Sequence, residues 1–446
     1  MNLIPAFIHR RVAQRPNLER ILGNIGWLTA DKIVRMGMGL VVGVWVARYL
    51  GPAQFGLVSY AMAFVGLFGV IATLGFNSIV VRDLVKDPDN ANLTLGTAAL
   101  LQFLSGLIAF ALTVWFIALA RPGDALTRLV VVIIGSAMFF KATEVATYWF
   151  EAKVQSKYVV WAQNAVFLAF AAIKVSLILL DAPLIAFVWA MLAESALSGL
   201  AVLVMFVRMG PSLATLRVRF RRALTLLQDS WPLTLAGLAV TIYMKIDQIM
   251  LGQMRGDEAV GIYSAAVRVS EVWYFIPVSI VASVFPAIIT AKKQSEKLYY
   301  QRLQQLYDLM VILSLAIAIP MTFLSDWLIG FLFGAAYQDA GAVLAIHIWA
   351  SVFVFLGVAS GRWFIVEDRQ MSILQRHLLG AVVNVALNFV LIPDFGVIGA
   401  AWATVVSYSV AGMFYDLAQR HTRHMFRMKL KAFEFSRILK HGFLRH

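Results

Sequence analysis

Composition places the chain in a membrane and excludes several kinds of chemistry. Its 446 residues are 61% hydrophobic and only 14% charged, and the mean hydropathy is +0.79, which is far from the composition of an ordinary soluble domain. Because the chain has no cysteine, disulfides, thiol catalysis and Cys-ligated metals are excluded. The seven histidines are scattered and show no ligand spacing, so we predict no metal and no bound cofactor.

Long apolar runs predict an all-α polytopic membrane protein with about twelve transmembrane helices. Several runs exceed the ~18 residues that mark a membrane-spanning helix. The eighth run is long and contains Pro277, so we expect it to kink or tilt. In chain order the predicted spans are 22–46, 56–76, 95–119, 128–150, 158–180, 184–207, 230–252, 259–287, 306–324, 342–366, 372–392 and 396–418.

The distribution of lysine and arginine predicts the orientation. With both termini in the cytoplasm, and with Arg128 and Arg376 at span ends counted with the adjoining loops, the segments on that side hold 27 of these residues and the opposite side holds 4. This asymmetry is the positive-inside pattern, and it accounts for most of the net charge of +14 without a nucleic-acid partner. The basic runs at 217–222 and 420–431 are interpreted as topology anchors near anionic lipid.

Two short sequences recur and indicate an internal repeat. GPAQFGLVSYA at 51–61 matches GDEAVGIYSAA at 256–266, and DAPLIAFVWA at 181–190 matches DFGVIGAAWA at 394–403. Each pair occupies corresponding places in two six-span halves, and an even number of spans gives both halves the same orientation. The pattern therefore predicts two parallel six-helix lobes around a central cavity, as in many secondary transporters. The predicted parts are an N-lobe at 1–208, a basic linker at 209–228, a C-lobe at 229–419 and a basic tail at 420–446.

Three stretches carry a resemblance to a known family. RYLGPAQFGLVSYA, GFNSIVVRDL after the second span, and FGVIGAAWATVVS at the twelfth span resemble the polysaccharide transporter branch of the multidrug/oligosaccharidyl-lipid/polysaccharide exporter superfamily, which contains the Wzx-type O-antigen flippases. The resemblance implies a cationic central cavity, alternating access and no catalytic motif.

The same resemblance implies a substrate, a location and partners. The substrate would be an undecaprenyl-diphosphate-linked oligosaccharide, moved from the cytoplasmic to the periplasmic leaflet of a bacterial inner membrane. Membrane lipid is the other implied partner, together with a polysaccharide polymerase and a chain-length regulator. The motifs leave open whether the product is O-antigen, capsule or exopolysaccharide. They also leave open whether H⁺, Na⁺ or neither drives transport.

Charged side chains within the spans are the candidate functional residues. A charge near the bilayer centre costs at least ~2.5–3.5 kcal/mol, so such residues usually face protein or a wet cavity. Local pairing at helical spacing is one explanation, for Asp31 with Arg35, Lys141 with Glu144, and Arg268 with Glu271. Lys174 and Arg362, which lie near span ends, can instead extend their charges to the interface.

The set as a whole favours a cationic cavity that binds a diphosphate. Lys32, Lys174 and Arg362 have no partner at helical spacing in their own spans. Glu194 is interpreted either as a proton carrier or as a carboxylate paired across helices. The glycine pair of the first span serves either close packing or a hinge. The candidate cavity residues are Lys32, Arg35, Lys174, Lys245, Arg268 and Arg362, the coupling or gating candidates are Asp31, Glu144, Glu194, Asp247 and Glu271, and the glycines are Gly39 and Gly43.

Two other functions remain open at this point. A multidrug exporter would share the architecture, but exporters of organic cations favour an acidic and aromatic lumen, whereas this one is richer in lysine and arginine. A membrane-embedded glycosyltransferase or polymerase would need catalytic carboxylates or arginine and a large loop outside the membrane. The longest predicted loops have about 20 residues, and phosphate-binding glycine motifs are absent. We therefore predict a transporter and not an enzyme.

Overall fold

The computed structural model describes residues 16–367 and 369–434, and for residues 16–34 and Gln370 it describes the backbone alone. This described part is helical, with short 3₁₀ segments and turns as connections. The 3₁₀ segments are Pro88–Asn90, Ser136–Thr143, Leu213–Thr215, Val272–Tyr274, Ala335–Tyr337 and Phe414–Leu417. The α-helices are α1 Pro16–Thr73, α2 Phe76–Lys86, α3 Ala91–Ala120, α4 Ala125–Gly135, α5 Glu144–Ala152, α6 Ser156–Leu179, α7 Leu184–Met209, α8 Phe220–Met254, α9 Asp257–Glu271, α10 Phe275–Gln294, α11 Glu296–Phe333, α12 Ala340–His347, α13 Ala350–Val366, α14 Gln370–Gly412 and α15 Arg423–Lys431.

The number of spans agrees with the prediction. Ten helical stretches of the described chain are long and apolar enough to cross a membrane. Two of them each contain two spans, because α1 is interrupted at Gly51 (φ 71°) and α14 at Gly396 (φ 54°). The all-α polytopic fold class with about twelve transmembrane helices is therefore confirmed.

Several spans are interrupted by tighter turns. The fourth span consists of α4, the eight-residue 3₁₀ segment Ser136–Thr143, and α5. The eighth span changes from α9 to α10 through Val272–Tyr274, immediately before Pro277. A proline at 277 cannot donate to the carbonyl four residues earlier, which is a physical reason for the break. A 3₁₀ stretch within a long helix often marks a hinge.

The chain divides into two compact units. The first unit contains the described residues up to Leu50 and Ala61–Leu238, and the second contains Gly51–Tyr60 and the described residues from Ala239 onward. Large apolar side chains are exposed in both units, for example Leu179 at 78% and Phe323 at 82%. Such surfaces are expected of helices that face lipid, where the backbone is satisfied internally and the side chains need no water.

The core of the first unit lies among α2, α3, α5 and α7. Phe76, Phe150 and Phe206 are almost completely buried there, and Leu95 packs with them. The segment before α8 also packs on this unit, since the amide of Arg217 donates to the carbonyl of Asn92 (3.2 Å). Part of the predicted basic linker is therefore held by backbone contacts.

The core of the second unit includes the tail helix. Tyr307, Phe355 and Phe364 are fully buried, and Met425 of α15 is buried against them. The sequence predicts that the run 420–431 is a topology anchor near anionic lipid, but residues Arg423–Lys431 of this run form a helix with one face in the protein core. The amphipathic spacing of Met425 and Lys429, one helical turn apart, explains how α15 buries one face.

The two copies of the first repeat contact each other within the second unit. Gly51 and Gly256 both have positive φ, 71° and 85°, immediately before a helical segment. One turn later, a methyl group on Gly56 would lie 1.7 Å from the carbonyl oxygen of Asp257. Only glycine permits this close approach of two backbones.

The contact is reciprocal. A methyl group on Gly261 would lie 2.0 Å from the carbonyl oxygen of Pro52. Pro52 and Asp257 occupy equivalent repeat positions, as do Gly56 and Gly261, so each copy makes the same contact with the other. Close packing of the two helices thus explains why both copies of the repeat have glycine at this position.

Candidate functional site

An ion pair in the fourth span lies on its 3₁₀ segment. The amine of Lys141 is 2.7 Å from Oε1 of Glu144, which confirms the predicted i,i+3 pair. Tyr148 donates its hydroxyl hydrogen to Oε2 of Glu144 (3.1 Å), and Gln102 donates to the oxygen of Tyr148 (3.0 Å). Both side chains of the pair remain about one third exposed. The pair is therefore open to a further ligand.

A second pair joins α6 to α7. The amine of Lys174 is 2.5 Å from Oε2 of Glu194, with each side chain about one fifth exposed. The structure thus shows the cross-helix pairing that was one of the two interpretations of Glu194. Lys174 has this partner although its own span offers none. Whether the pair serves the substrate stays a prediction.

Arg35 is the predicted residue of the first span whose side chain the structure describes. Its guanidinium donates to Oε1 of Gln163 (3.3 Å) and lies 5.8 Å from the ring centre of Phe167. A methyl group on Gly39 would be in ordinary contact with the same ring, at 3.9 Å. The first span therefore packs on α6 at this level. The side chains of Asp31 and Lys32, and with them the predicted Asp31–Arg35 pair, lie outside the described residues, and the role of Gly43 stays a prediction.

Arg268 and Glu271 attract each other electrostatically, as their i,i+3 spacing predicts, but among the described residues they do not form a close ion pair. Glu271 lies 3.7 Å from the amine of Lys245 on α8, and the guanidinium of Arg268 lies over the ring of Phe55, 5.2 Å from its centre. The helix changes from α9 to a 3₁₀ turn directly after Glu271. Ideal helical spacing is therefore a poor guide to the partner of this side chain.

Arg362 lies apart from these pairs. Its guanidinium is 5.8 Å from the ring centre of Phe285, and the residue is exposed. Among the described residues it has no carboxylate partner within 4 Å. Of the predicted cavity residues, Lys245 and Arg268 lie beside the same acid, whereas Arg362 does not join them.

Asp247 is the centre of a buried polar cluster in the second unit. Its side chain is 2% exposed. Asn388 donates to Oδ1 (2.5 Å), and the hydroxyls of Thr404 and Tyr263 donate to Oδ2 (2.7 and 2.9 Å). Asn384 accepts a hydrogen bond from Asn388 (3.0 Å). In the described chain, Asp247 has no ion pair.

This arrangement limits what Asp247 does. A buried carboxylate without a cationic partner is costly, and a proton or a bound cation would neutralise it. The surrounding groups are hard oxygen donors and neutral amides, and Oδ1 of Asn388 has no hydrogen-bond partner. A hydrogen ion or a small alkali cation suits such a set, whereas soft metals prefer sulfur or imidazole.

The sequence prediction missed a buried charged network in the second unit. Lys429 of α15 lies 2.8 Å from Oδ2 of Asp416 and donates to the carbonyl of Gly412 (2.6 Å) and the hydroxyl of Ser360 (3.1 Å). Arg376 donates to the same hydroxyl (3.0 Å). Burial lowers the pKa of Lys429 from its ordinary value, and the nearby carboxylate of Asp416 opposes this. The network fixes α15 to α13 and α14.

The signals for this network are weak in the sequence. Arg376 lies near the start of the eleventh span. The positive-inside count assigns it to the preceding cytoplasmic loop, so it does not stand out as an intramembrane charge. Lys429 is one of several cations in the tail. The spacing of Met425, Lys429 and Ala432 along one face of α15 is the signal that could have identified the buried lysine.

Sequence comparison identifies the family. The profile of the family described as "polysaccharide biosynthesis protein" matches residues 21–292, which is more than half of the chain. The chain belongs to this family. A second profile, described as MatE, matches residues 232–390. The polysaccharide transporter resemblance read from three short stretches is therefore confirmed over most of the chain.

Individual relatives agree with the family. The probable low-salt glycan biosynthesis flippase Agl15 of Haloferax volcanii is 25% identical over 195 residues, which is 43% of this chain and 41% of that protein. The alignment thus spans less than half the length of this curated relative.

Solved structures show the same fold. An inward-facing multidrug resistance MATE family transporter of the MOP superfamily matches with a TM-score of 0.73 over 89% of this chain and 95% of that chain. The lipid II flippase MurJ in an inward closed conformation matches with a TM-score of 0.71 over 91% and 90%. At 14% identity these likenesses establish the fold alone. This family member is a multi-pass membrane protein.

Proposed function

We propose that the protein is a flippase for an undecaprenyl-diphosphate-linked oligosaccharide. It would carry the lipid from the cytoplasmic to the periplasmic leaflet during synthesis of O-antigen, capsule or exopolysaccharide. Membership in the polysaccharide biosynthesis family carries the proposal. The lysines inside the spans whose side chains are 20–36% exposed support it, since an ammonium group with a carboxylate partner retains donors for a diphosphate.

The mechanism proposed is alternating access of two lobes. Basic side chains in the spans would bind the diphosphate while the lipid tail stays in the bilayer. The residues proposed for this are Lys32, Arg35, Lys174, Lys245, Arg268 and Arg362. Exchange of a carboxylate partner for the diphosphate would release Glu194 or Glu271, which makes these acids candidates for gating.

Asp247 is our candidate for energy coupling. Its carboxylate accepts three hydrogen bonds from neutral groups, and it would take up a proton or Na⁺ from a transmembrane gradient. Loading it would neutralise a buried charge, which changes the relative free energies of two conformations. This step requires no ATP, in agreement with the absence of phosphate-binding glycine motifs.

The proposed location is the inner membrane of a bacterium with both termini in the cytoplasm. The excess of lysine and arginine on that side, 27 against 4, supports this orientation. A polysaccharide polymerase and a chain-length regulator would act on the product after translocation. Neither is needed for the transport step itself.

A multidrug exporter is the second candidate. It is favoured by the MatE profile at 232–390 and by the fold of the MATE transporter. An exporter needs no diphosphate site and should confer resistance to organic cations. A drug-susceptibility assay in an exporter-deficient host distinguishes it from the flippase.

The test of the flippase uses a deletion strain. We expect surface polysaccharide to disappear and lipid-linked repeat units to accumulate on the cytoplasmic side, and a plasmid copy to reverse both. Unchanged levels of both pools would contradict the proposal and favour the exporter. Charge reversal at Lys174 or Arg362 should abolish export at normal protein level.

A further inference from the structure

A cavity of about 460 Å³ lies inside the first unit. It is formed by residues 62–73 of α1, 134–141 of the fourth span and 191–195 of α7. Its volume is within the ~300–1,000 Å³ range of small-molecule sites. Most of its wall is apolar, and three flexible side chains contribute to it: Met62, Met138 and Met191.

Two glycines keep the cavity open on its α1 side. Gly66 and Gly69 line the wall, and a methyl group on either would meet no atom within 4 Å. They differ from Gly56 of the same helix, whose missing side chain permits close backbone contact. Among the described residues, the glycine face at 66–69 therefore makes no helix-packing contact, and it provides space for a ligand.

One cation borders this space. The cavity wall has three polar side chains, those of Lys141, Thr73 and Ser195. The hydroxyl of Thr73 donates to the carbonyl of Val70 (3.0 Å) and is satisfied within its helix. The amine of Lys141 donates to Glu144. Since an ammonium group has three donors and this side chain is 36% exposed, it can bind an anion while it keeps its partner.

We propose that this cavity binds a polyprenyl diphosphate at the junction of headgroup and chain. Lys141 would hold the diphosphate, and the first isoprene units would lie along the glycines and methionines. The inference rests on the proposed function and names the part of the carrier lipid that the first unit recognises. Flexible methionine walls suit a methyl-branched chain, whereas a sugar ring would need more hydrogen-bonding side chains than this wall has.

A phospholipid offers the same chemistry, namely a phosphate next to an apolar chain. The test therefore uses the purified full chain in detergent, with farnesyl diphosphate as the probe and titration calorimetry as the readout. We expect it to bind at least about tenfold more tightly than farnesol or inorganic diphosphate, and to resist displacement by phosphatidylglycerol. Equal affinity for farnesol, displacement by the phospholipid, or no binding of the probe would overturn the proposal.

Filling the cavity supplies the matched comparison. Gly66→Leu and Gly69→Leu place a side chain in open space, so folding should be preserved, and we expect farnesyl diphosphate affinity to fall at least about tenfold. Gly330→Leu is the control, because Gly330 is exposed on α11 and a methyl group there also meets nothing. Thermal unfolding verifies that all three variants fold. Wild-type affinity in both filled variants would refute the site.

The role of the cation is tested without leaving an unpaired acid. The double variant Lys141→Gln, Glu144→Gln keeps two neutral side chains in place of the ion pair. We expect this double variant to have equal affinity for farnesyl diphosphate and farnesol. The Lys141→Arg variant should still bind farnesyl diphosphate more tightly than farnesol. A double variant that keeps the full preference would show that Lys141 does not hold the headgroup.

Export assays with the same variants separate this inference from the proposed function. If the wild-type gene restores surface glycan but Gly66→Leu binds the probe normally, the cavity assignment fails and the flippase stands. If Gly66→Leu loses binding and also fails to restore export, both are supported. If the wild-type gene has no effect on glycan export although its product binds the probe as described, the site is supported and the flippase is refuted.

Discussion

The two units differ in how deeply their charged side chains are buried. In the first unit, Lys141–Glu144 and Lys174–Glu194 are simple pairs whose side chains are between 20% and 36% exposed. In the second unit, Asp247 is 2% exposed and bound by neutral donors. The Lys429–Asp416 pair there has side chains at most 3% exposed.

This difference has an energetic consequence. Part-exposed ion pairs are worth little, about 0–1 kcal/mol, so a partner can be exchanged for an anionic ligand at small cost. Buried charges are costly to leave alone, by about 3–5 kcal/mol when one partner is removed. The first unit therefore has charges suited to transient binding. The second unit has one such part-exposed pair in Lys245–Glu271, and it adds buried charges suited to fixed structure and, at Asp247, to the coupling role that we propose.

Among neutral substitutions of single acids, the largest effect on transport should come from Asp247. Asp247→Asn keeps the shape but removes the charge, and we expect export to fall roughly 100-fold, equivalent to about 2.7 kcal/mol. Glu194→Gln is the matched change in the first unit and should lower export by only a few-fold. Surface polysaccharide measured at equal protein level gives the comparison. Equal losses in the two variants would remove the distinction between the units.

The largest effect on stability should come from the tail helix. Lys429→Met leaves Asp416 buried without its cation, and we expect the free energy of unfolding to fall by about 3–5 kcal/mol. The double variant Lys429→Met, Asp416→Leu should recover much of this loss. Chemical denaturation in detergent measures both. A single variant as stable as the wild type would mean that α15 contributes little to the second unit.

A charge swap separates pairing from substrate binding in the first unit. Lys174→Glu with Glu194→Lys keeps an ion pair but moves the cation from α6 to α7. We expect unfolding to change by no more than about 1 kcal/mol, whereas export should fall clearly if the position of the cation matters to the diphosphate. Normal export by the swapped chain would assign the pair a purely structural role.

The smallest effect should come from a part-exposed charge outside the spans of the first unit. Asp124 caps α4 by accepting hydrogen bonds from the amide (2.9 Å) and hydroxyl (2.6 Å) of Thr127. We expect Asp124→Ala to lower the free energy of unfolding by about 1 kcal/mol. A loss as large as that of Lys429→Met would contradict the contrast between exposed and buried charges.

The same cap has a pH dependence of known sign. Partial burial alone would raise the pKa of Asp124, but the Thr127 hydrogen bonds and Arg121 outweigh it and lower the pKa from its ordinary 3.8. The unfolded chain thus binds the proton more readily, so the contribution is complete above pH 3.8 and is lost as pH falls through the lower folded value. Unfolding followed at pH 3 and pH 6 should show the Asp124→Ala effect shrinking at the lower pH.

Local patterns predicted the spans and the Lys141–Glu144 pair, because both depend on residues close in sequence. Partners on other helices could not be predicted from the sequence. The groups that bind Asp247 include Asn388 and Thr404, which are 141 and 157 residues away. The spacing rule was a poor guide to Arg268, because Lys245 of α8 is the close partner of Glu271 and the guanidinium of Arg268 lies over the ring of Phe55. Lys429 was hidden among tail cations, because charge alone does not tell which face of a short helix is buried.

The reciprocal contact of Gly56 with Asp257 and of Gly261 with Pro52 has the geometry of an isologous interface, in which the same surface is used twice. If the two halves were identical subunits of a homodimer, a single codon would specify both sides of this helix contact. Any substitution would then change both sides at once. In a chain that carries both copies, each side can change without the other. The contact between the two helices is therefore symmetric in shape, but its two sides mutate independently. A substitution can be tolerated in one helix and be destabilising at the equivalent position of the other.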